Sequence, residues 1–331
     1  MRDEHAFSTR PITELYTWFA GETEPTSATW AALCRWIAET PAVHARLDAL
    51  PGRKRQPNIF LAAVRYLGGP TEPEPRFLAW FDEHWPEIER VILARSTQTN
   101  EPGRCAVFAP VLASLPQPIS LLEVGASAGL TLYPDRYRYR YAGAVEAEIT
   151  PPTAPADAPL LRCRVTGTPP GDPTYLVVSA RAGLDVAPLD PSDPDDARWL
   201  RSLVWPGDDE REARLAEALA LVGAKPPHLL RGDLTDKLDA LLALAAPGTT
   251  PVVVNSATLA YLERPERDAF VARVRDAGVH WLSFEGPSVV TSLRGVLPHT
   301  DAWRSRPHFV VALDGTPLGR AHAHGRWVEW E

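Results

Sequence analysis

The sequence predicts an α/β protein in which a helical N-terminal region precedes a doubly wound sheet. About the first hundred residues show helical spacing of apolar side chains and no strand signal. From residue 119 onward, short apolar runs alternate with amphipathic stretches, as in parallel strands joined by helices. We therefore expect a helical cap region at residues 1–115 and a sheet domain at residues 116–331.

The helices of the N-terminal region are marked by apolar spacing and by proline. Trp30, Leu33, Cys34 and Ile37 are three or four residues apart, which places them on one helical face. Pro57 suits the first turn of a following helix. Further helices are expected at residues 77–85, 86–95 and 104–114, the second of them starting with proline.

The strands and helices of the sheet domain alternate along the chain. Strands are expected at residues 119–124, 175–178, 228–230, 251–255 and 279–284. The intervening helices are expected at residues 195–205, 209–222, 235–245 and 265–277. The chain then predicts a C-terminal antiparallel meander at residues 308–313, 316–321 and 326–330, with Asp314-Gly315 as a hairpin turn.

A segment at about residues 134–173 interrupts this alternation. Arginine and tyrosine alternate at residues 136–141, so a strand there would carry three arginines on one face and three tyrosines on the other. A proline-rich stretch and a second strand follow. We expect an inserted β-hairpin layer, whose arginine face is either solvated or an anion site.

Composition and charge exclude several classes of protein. The 331 residues include 34 basic and 42 acidic ones, a net charge of −8, which disfavours nucleic acid as a partner. Three cysteines without a CxxC pair predict neither a disulfide framework nor a metal site. No apolar run is long enough to cross a membrane, and no signal peptide is recognisable, so a cytoplasmic protein without a membrane partner is expected.

The loop after the first predicted strand carries the main functional signal. Glu123 is followed by Gly125, Ala126, Ser127 and Gly129, small residues that let a ligand approach the backbone where a helix opens. The same spacing fits the nucleophile elbow of α/β hydrolases, with Ser127 as nucleophile. An acidic residue two positions before the first glycine favours a Rossmann-like fold of the class I methyltransferase type, which binds S-adenosylmethionine.

Other strand ends supply further candidate ligands for that cofactor. Asp233, after the third core strand, resembles the acid that faces the adenine in methyltransferases, and Asn255 ends the strand that lines the reaction centre. The ribose ligand is either Asp185, at a strand end, or Glu146, within the insertion. Ser256 and Tyr261, which follow Asn255, are expected to bind substrate.

The remaining candidates lie outside these strand ends or in the last core strand. A polar cluster before the sheet, Gln98, Asn100 and Arg104, is expected to bind substrate as a lid over the glycine loop. Three residues are candidate catalytic bases: Glu101, Glu285 and His324. His322 and His324 are expected to share one face of a strand, but without a third ligand no metal site is predicted.

Several blocks together resemble an uncharacterised bacterial family catalogued as domain of unknown function 2332. They cover nearly the whole chain: residues 98–105, 121–130, 135–139, 197–206, 231–233, 285–287 and 324–330. The resemblance implies a methyltransferase-like core behind a helical N-terminal region, and it brings no established reaction. Thr131 and Asn255 depart from the asparagine and histidine that are common in the family at these positions.

Three functions follow from these observations. The first is an S-adenosylmethionine-dependent methyltransferase for a small molecule, either free or attached to a carrier. The second keeps the fold without methylation, as a lyase, a cyclase or a subunit that binds a protein partner in biosynthesis. The third is a serine hydrolase in which Ser127 works with His324 and either Asp233 or Asp301.

Overall fold

The computed structural model describes residues 10–73, 75–144, 146–293 and 306–331, and these form two compact units. The first comprises residues up to Thr99 together with Pro194–Ala213, and the second comprises Asn100–Asp193 and Arg214–Glu331. The division differs from the predicted boundary at residue 115. The helix before the first strand belongs to the sheet unit because Phe108 packs on Phe284 of that sheet, ring centroids 5.4 Å apart.

The described residues contain ten helices that largely follow the predicted pattern. They are α1 Ile12–Thr23, α2 Ala28–Ala38, α3 Pro41–Asp48, α4 Pro57–Tyr66, α5 Pro75–Ala94, α6 Cys105–Ala113, α7 Pro194–Ser202, α8 Asp209–Gly223, α9 Leu234–Leu242 and α10 Arg264–Asp276. None of the helices in the described ranges has the length and apolar character that a membrane crossing requires.

The helical unit is built from α1 to α5, α7 and the start of α8. Ser27 caps α2 by accepting a hydrogen bond from the Trp30 backbone N–H (3.2 Å), and prolines begin α3 and α4. The predicted break at Pro86 is wrong, because α5 runs through it. The buried side chains of Phe81 and Ile88 lie on either side of this proline, so one apolar face continues along the whole helix.

The described residues of the sheet unit form eleven strands in one sheet, six of whose neighbouring pairs are parallel. The strands are β1 Ile119–Val124, β2 Arg138–Gly143, β3 Ala147–Ile149, β4 Leu160–Thr166, β5 Val178–Asp185, β6 His228–Arg231, β7 Thr250–Ser256, β8 His280–Glu285, β9 Phe309–Leu313, β10 Thr316–Ala321 and β11 Trp327–Trp330. Their order across the sheet is β3-β2-β4-β11-β10-β9-β8-β7-β1-β5-β6.

The central part of the sheet is the parallel set β6-β5-β1-β7-β8. Its strands match the predicted ones except β5, which begins at Val178, where the predicted strand ends. Pro173–Tyr175 forms a 3₁₀ turn instead, because Asp172 accepts a hydrogen bond from the Thr174 N–H and caps it. A core of Leu, Val, Phe and Trp side chains packs between one face of this sheet and helices α9 and α10.

The predicted insertion is not a separate layer but an extension of the same sheet. The two predicted strands, β2 and β4, pair in parallel and so do not form a hairpin with each other. The hairpin forms instead between β2 and β3, a strand that was not predicted, and β4 joins it to the sheet by pairing in parallel with β11. Tyr137, Tyr139 and Tyr141, which the alternation places on one face, are buried, and the rings of the last two stack 5.9 Å apart. The C-terminal meander β9–β10–β11 is antiparallel, also as predicted, and it continues the sheet from β8.

Candidate functional site

Most of the predicted site residues come together at one edge of the sheet, where β1, β5, β7 and β8 end. The strand order reverses at β1, since β5 and β6 follow on one side of it and β7 and β8 on the other. Ligands of open α/β sheets bind outside the carboxyl ends at such a reversal. The predicted residues at this edge are Glu123, Gly125, Ala126, Ser127, Gly129, Asp185, Asn255, Ser256 and Glu285.

The turn from Gly125 to Gly129 is held by hydrogen bonds within the protein. The Gly125 N–H donates to the Leu184 carbonyl (2.8 Å), and the Gly129 N–H donates to that of Ala126 (2.7 Å). The N–H groups of Ala126 and Ser127 also donate hydrogen bonds to residues of β5, so most of the backbone donors of the turn are engaged. The turn therefore does not present a row of free N–H groups to a ligand.

The helix that the loop was predicted to open is replaced by a single 3₁₀ turn, Leu130–Leu132. The residue that would donate to the Leu130 carbonyl in an α-helix is Pro134, which has no N–H. The hydroxyl of Tyr137 donates to that carbonyl instead (2.8 Å), and Arg181 donates to the carbonyl of Leu132 (2.9 Å). The chain consequently enters β2 without forming the α-helix whose N-terminus was expected to face the site.

Close packing explains why Gly125 is a glycine. Its φ of +72° is in the left-handed region, and a Cβ there would lie 2.1 Å from Oγ1 of Thr258, in the loop after β7. Gly183 on β5 is equally constrained, since a Cβ there would lie 2.5 Å from that of Ala126. The small residues thus let the loops after β1 and β7 and the strand β5 approach one another.

Ser127 is the residue of the turn that retains a free polar group. Its backbone adopts φ = +52°, and its N–H donates to Oδ2 of Asp185 (2.8 Å). Its Oγ is buried and has no hydrogen-bond partner among the described residues. The other oxygen of Asp185 accepts from the Ala187 N–H (2.8 Å), so this half-buried carboxylate at the end of β5 fixes the turn. The insertion precedes β5, as expected, and puts Asp185 beside the loop.

The cluster before α6 contacts this turn through Asn100. Its Nδ2 donates to the Ala126 carbonyl (3.2 Å) and its Oδ1 accepts from the Leu130 N–H (2.9 Å), so the side chain bridges the turn. Arg104 reaches the end of β7, where Nη1 donates to Oγ (2.8 Å) and to the carbonyl of Ser256. Both Asn100 and Arg104 are buried, which makes them part of the framework of the site.

Glu101 is bound within the same cluster. Its Oε1 accepts hydrogen bonds from the Gly103 N–H (2.9 Å) and from Nε of Arg214 (2.8 Å). Its side chain is 1% exposed, and that of Arg214 is 11% exposed, so this is a buried ion pair. A carboxylate held in this way is a poorer proton acceptor than one with an open oxygen.

Glu285 has such an open oxygen. Its Oε1 accepts three hydrogen bonds of 2.8–2.9 Å, from Nδ2 of Asn255 and from the N–H groups of Thr258 and Leu259. Its Oε2 is buried and has no partner among the described residues. Burial raises the pKa of the Glu285 carboxyl, although these three donors and Arg104 act in the opposite direction.

Asn255 is occupied by the protein rather than facing a ligand. Besides its bond to Glu285, its Oδ1 accepts from Nε1 of Trp281 (2.6 Å), and its side chain is fully buried. The chain Trp281–Asn255–Glu285 fixes the orientation of the glutamate. The geometry of Asn255 therefore does not favour its predicted contact with a cofactor.

Glu123 faces a second buried hydroxyl. Oγ1 of Thr131 lies 2.6 Å from both carboxyl oxygens, a geometry that a protonated carboxyl satisfies by donating once and accepting once. Burial raises the pKa of Glu123 to about 8, while the Thr131 hydroxyl and Arg104 lower it and Asp185 raises it. Two buried carboxyl groups with raised pKa values therefore lie at this edge of the sheet.

Several predicted residues have other surroundings. Gln98 belongs to the helical unit and is half-buried there. Asp233 is an exposed helix cap that accepts from the Thr235 N–H (2.8 Å), and Tyr261 is 52% exposed. Glu146 is exposed in the β2–β3 hairpin, where it accepts from the Gly143 N–H. The positions of Asp233, Tyr261 and Glu146 do not favour contacts with a ligand held at the turn.

The two histidines are not on a strand, contrary to prediction. His322 and His324 lie in the tight turn between β10 and β11, where the His324 N–H donates to Nδ1 of His322 (3.0 Å). Gly325, with φ = +72°, ends that turn. In the described ranges no three His, Cys, Asp or Glu side chains are grouped as a metal site would need.

Some residues of the site were missed. Thr131, Thr258 and Arg214 carry no motif. Thr258 and Arg214 have partners that are more than 100 residues away in the sequence, whereas Thr131 contacts Glu123, eight residues before it. Trp281 could have been found, because Trp281, Ser283 and Glu285 alternate along β8 and share one face.

The sequence matches, over residues 13–330, the family described as an uncharacterised protein conserved in bacteria, domain of unknown function 2332. The chain belongs to this family. No curated protein and no solved structure matches it.

Proposed function

We propose that the protein is a methyltransferase-like enzyme that binds S-adenosylmethionine and acts on a small molecule. The observation that carries the proposal is the strand reversal at β1, directly followed by a small-residue turn whose buried Ser127 hydroxyl has no partner among the described residues. The order β6-β5-β1-β7-β8 is consistent with a doubly wound, Rossmann-like sheet of class I methyltransferase type. An acid at the end of β5, Asp185, is where such folds bind a ribose.

The residues present fit this cofactor in part. The Oγ of Ser127, which no described residue contacts by a hydrogen bond, offers a hydrogen bond at the turn, and Asp185 retains lone pairs beside its two backbone donors. Against this, the backbone donors of the turn are engaged, and Thr258 fills the space beside Gly125. A ligand would therefore be held by side chains of the turn and of β5 more than by backbone N–H groups.

The cofactor supplies a methyl group already activated on a sulfonium, so the protein must align the acceptor and remove its proton. We assign proton removal to Oε2 of Glu285, because Oε1 is fixed by three donors while Oε2 has no partner in the part of the chain that the structure describes. Burial raises the pKa of this carboxyl, which makes its ionised form a stronger base than an exposed glutamate. Glu101 is less suited because it is paired with Arg214.

The engaged turn also supports the second function, in which the fold acts without S-adenosylmethionine as a lyase, a cyclase or a partner-binding subunit. Glu285 and Glu123 would then provide general acid–base chemistry on a substrate. The hydrolase hypothesis receives no support. Ser127 Oγ has no base within hydrogen-bond distance in the described part of the chain, and Asp301 lies outside it.

Calorimetric titration with S-adenosylmethionine and S-adenosylhomocysteine, after removal of co-purified ligand, tests the proposal. We expect binding by the wild type, weaker binding by Ser127→Ala and Asp185→Asn, and no change for Asp172→Asn. Asp172 is a matched control, since it also caps a turn, the 3₁₀ turn that precedes β5. Ligand at 100 times its Kd would also raise the free energy of unfolding by about 2.7 kcal/mol. Absence of binding at millimolar ligand would refute the methyltransferase proposal and favour the second function.

A further inference from the structure

One exposed side of the sheet extension carries an excess of arginine, here called the arginine face. It comprises the outward side chains of β2, β4 and β11 with their charged partners: Arg138, Arg140, Glu148, Arg162, Arg164, Trp327 and Glu329, together with Arg306 and Arg320. Neighbours in register project to the same side of a sheet, and Arg140 pairs with Arg162 while Arg164 pairs with Trp327. This face is separate from the strand ends that form the candidate site.

Two arginine pairs on this face each hold one carboxylate. Arg138 and Arg140, two residues apart on β2, bind the two oxygens of Glu148 from the neighbouring strand, both at 2.6 Å. Hydrogen bonds from these arginines lower the pKa of Glu148, which keeps it ionised. On the other side of β4, Arg306 and Arg320 bind Glu329 in the same manner.

A third pair of arginines lies between these two pairs and has no carboxylate partner among the described residues. Arg162 and Arg164 are two residues apart on β4, the spacing of Arg138 and Arg140 on β2. Both are exposed, and neither guanidinium has a hydrogen bond or ion pair with any described residue. The register explains this, because the residues opposite Arg162 and Arg164 on β2 are Arg140 and Ala142.

We propose that the arginine face is a docking surface for an acidic protein segment, whose side-chain carboxylates bind the Arg162–Arg164 pair. The two neighbouring pairs show the geometry of the contact, since each binds one carboxylate with two arginines. The planar guanidinium presents paired donors that match the two oxygens of a carboxylate. The surplus of positive charge on this face stands out in a chain whose net charge is −8, and it attracts acidic segments selectively.

The test uses a fluorescein-labelled octa-glutamate peptide and fluorescence anisotropy at low ionic strength, where charges are weakly screened. The full-length wild type should bind the peptide, and Arg162→Gln/Arg164→Gln should bind it about tenfold more weakly or worse, because two charged donors are lost. The control Arg53→Gln/Arg90→Gln removes the same charge from two exposed arginines of the helical unit and should leave the affinity unchanged. Circular dichroism of each variant verifies its fold.

Four outcomes would overturn the proposal. The first is an absence of peptide binding by the wild type, and the second is an equal loss of peptide affinity in both double variants. The third is that the wild type binds a single-stranded oligouridylate more tightly than the peptide and that the Arg162→Gln/Arg164→Gln variant loses this binding. That third result would make the face a phosphate-binding surface. The fourth is a gain in peptide affinity for Asp301→Asn, which would assign the carboxylate to the chain itself.

Discussion

Replacement of the buried glutamate near the end of β1, Glu123→Gln, should remove a large pH dependence from the free energy of unfolding. In the folded protein burial raises the pKa of this carboxyl from its ordinary value of 4.5 to about 8. Between these values the unfolded chain has released a proton that the folded chain retains, so the wild type loses stability as the pH rises. The slope is about 1.4 kcal/mol per pH unit, or about 5 kcal/mol over the interval.

Urea unfolding of the wild type and of Glu123→Gln at several pH values between 5 and 8 measures this effect. Glutamine does not titrate, so the wild type should lose about 1.4 kcal/mol relative to the variant with each pH unit, and other titrating groups cancel in the difference. Glu87→Gln, at an exposed position of α5, is the control and should give a profile parallel to the wild type. A constant difference between the wild type and Glu123→Gln across this range would show that Glu123 is ionised in the folded state and would refute the reasoning.

Two further substitutions test the construction of the turn. Asp185→Ala removes the acceptor of two backbone N–H groups, including that of Ser127, and should lower the free energy of unfolding by about 2–3 kcal/mol in urea titrations. An effect below the error of the titration would mean that the carboxylate does not hold the turn. In Gly125→Ala the added Cβ would clash with Thr258, and the backbone would hold an alanine at a positive φ, so the free energy of unfolding should fall by at least about 2 kcal/mol. Gly21→Ala is the comparison: Gly21 lies inside helix α1 with open space around it, so alanine there should raise the free energy of unfolding by about 0.5–1 kcal/mol. Equal thermal midpoints for Gly125→Ala and Gly21→Ala would contradict this account of the packing at Gly125.

The sequence predicted those parts of the fold that depend on local patterns. Strands β1, β7 and β8 are apolar runs buried on both faces, and the alternation of tyrosine and arginine identified β2. The pairing of β4 with β11 could not be predicted, because it joins segments that are far apart in the chain. The helix expected after the glycine turn does not form, because Pro134 has no N–H to donate to the Leu130 carbonyl and the Tyr137 hydroxyl donates to that carbonyl instead.

The candidate site was predictable to a similar extent. Strand ends identified Asp185 and Glu285 because parallel strands bring their carboxyl ends to one edge. Which of their carboxylate oxygens accept hydrogen bonds depends on residues in the loops of other strands. Thr258, in the loop after β7, donates its backbone N–H to Glu285 at the end of β8. The sequence therefore indicated where ligands would meet the sheet, and the structure adds which polar atoms remain available.

The position of β11 has a consequence for how the sheet assembles. This four-residue strand lies between β10 and β4, so among the described strands it alone joins the three-stranded group β3-β2-β4 to the other seven. Until it is in place, β4 and β10 both expose unpaired backbone groups that can recruit strands from other molecules. Folding intermediates that lack β11 should therefore be prone to aggregation, and a cut or deletion in this short segment would divide a continuous sheet into two pieces with open edges.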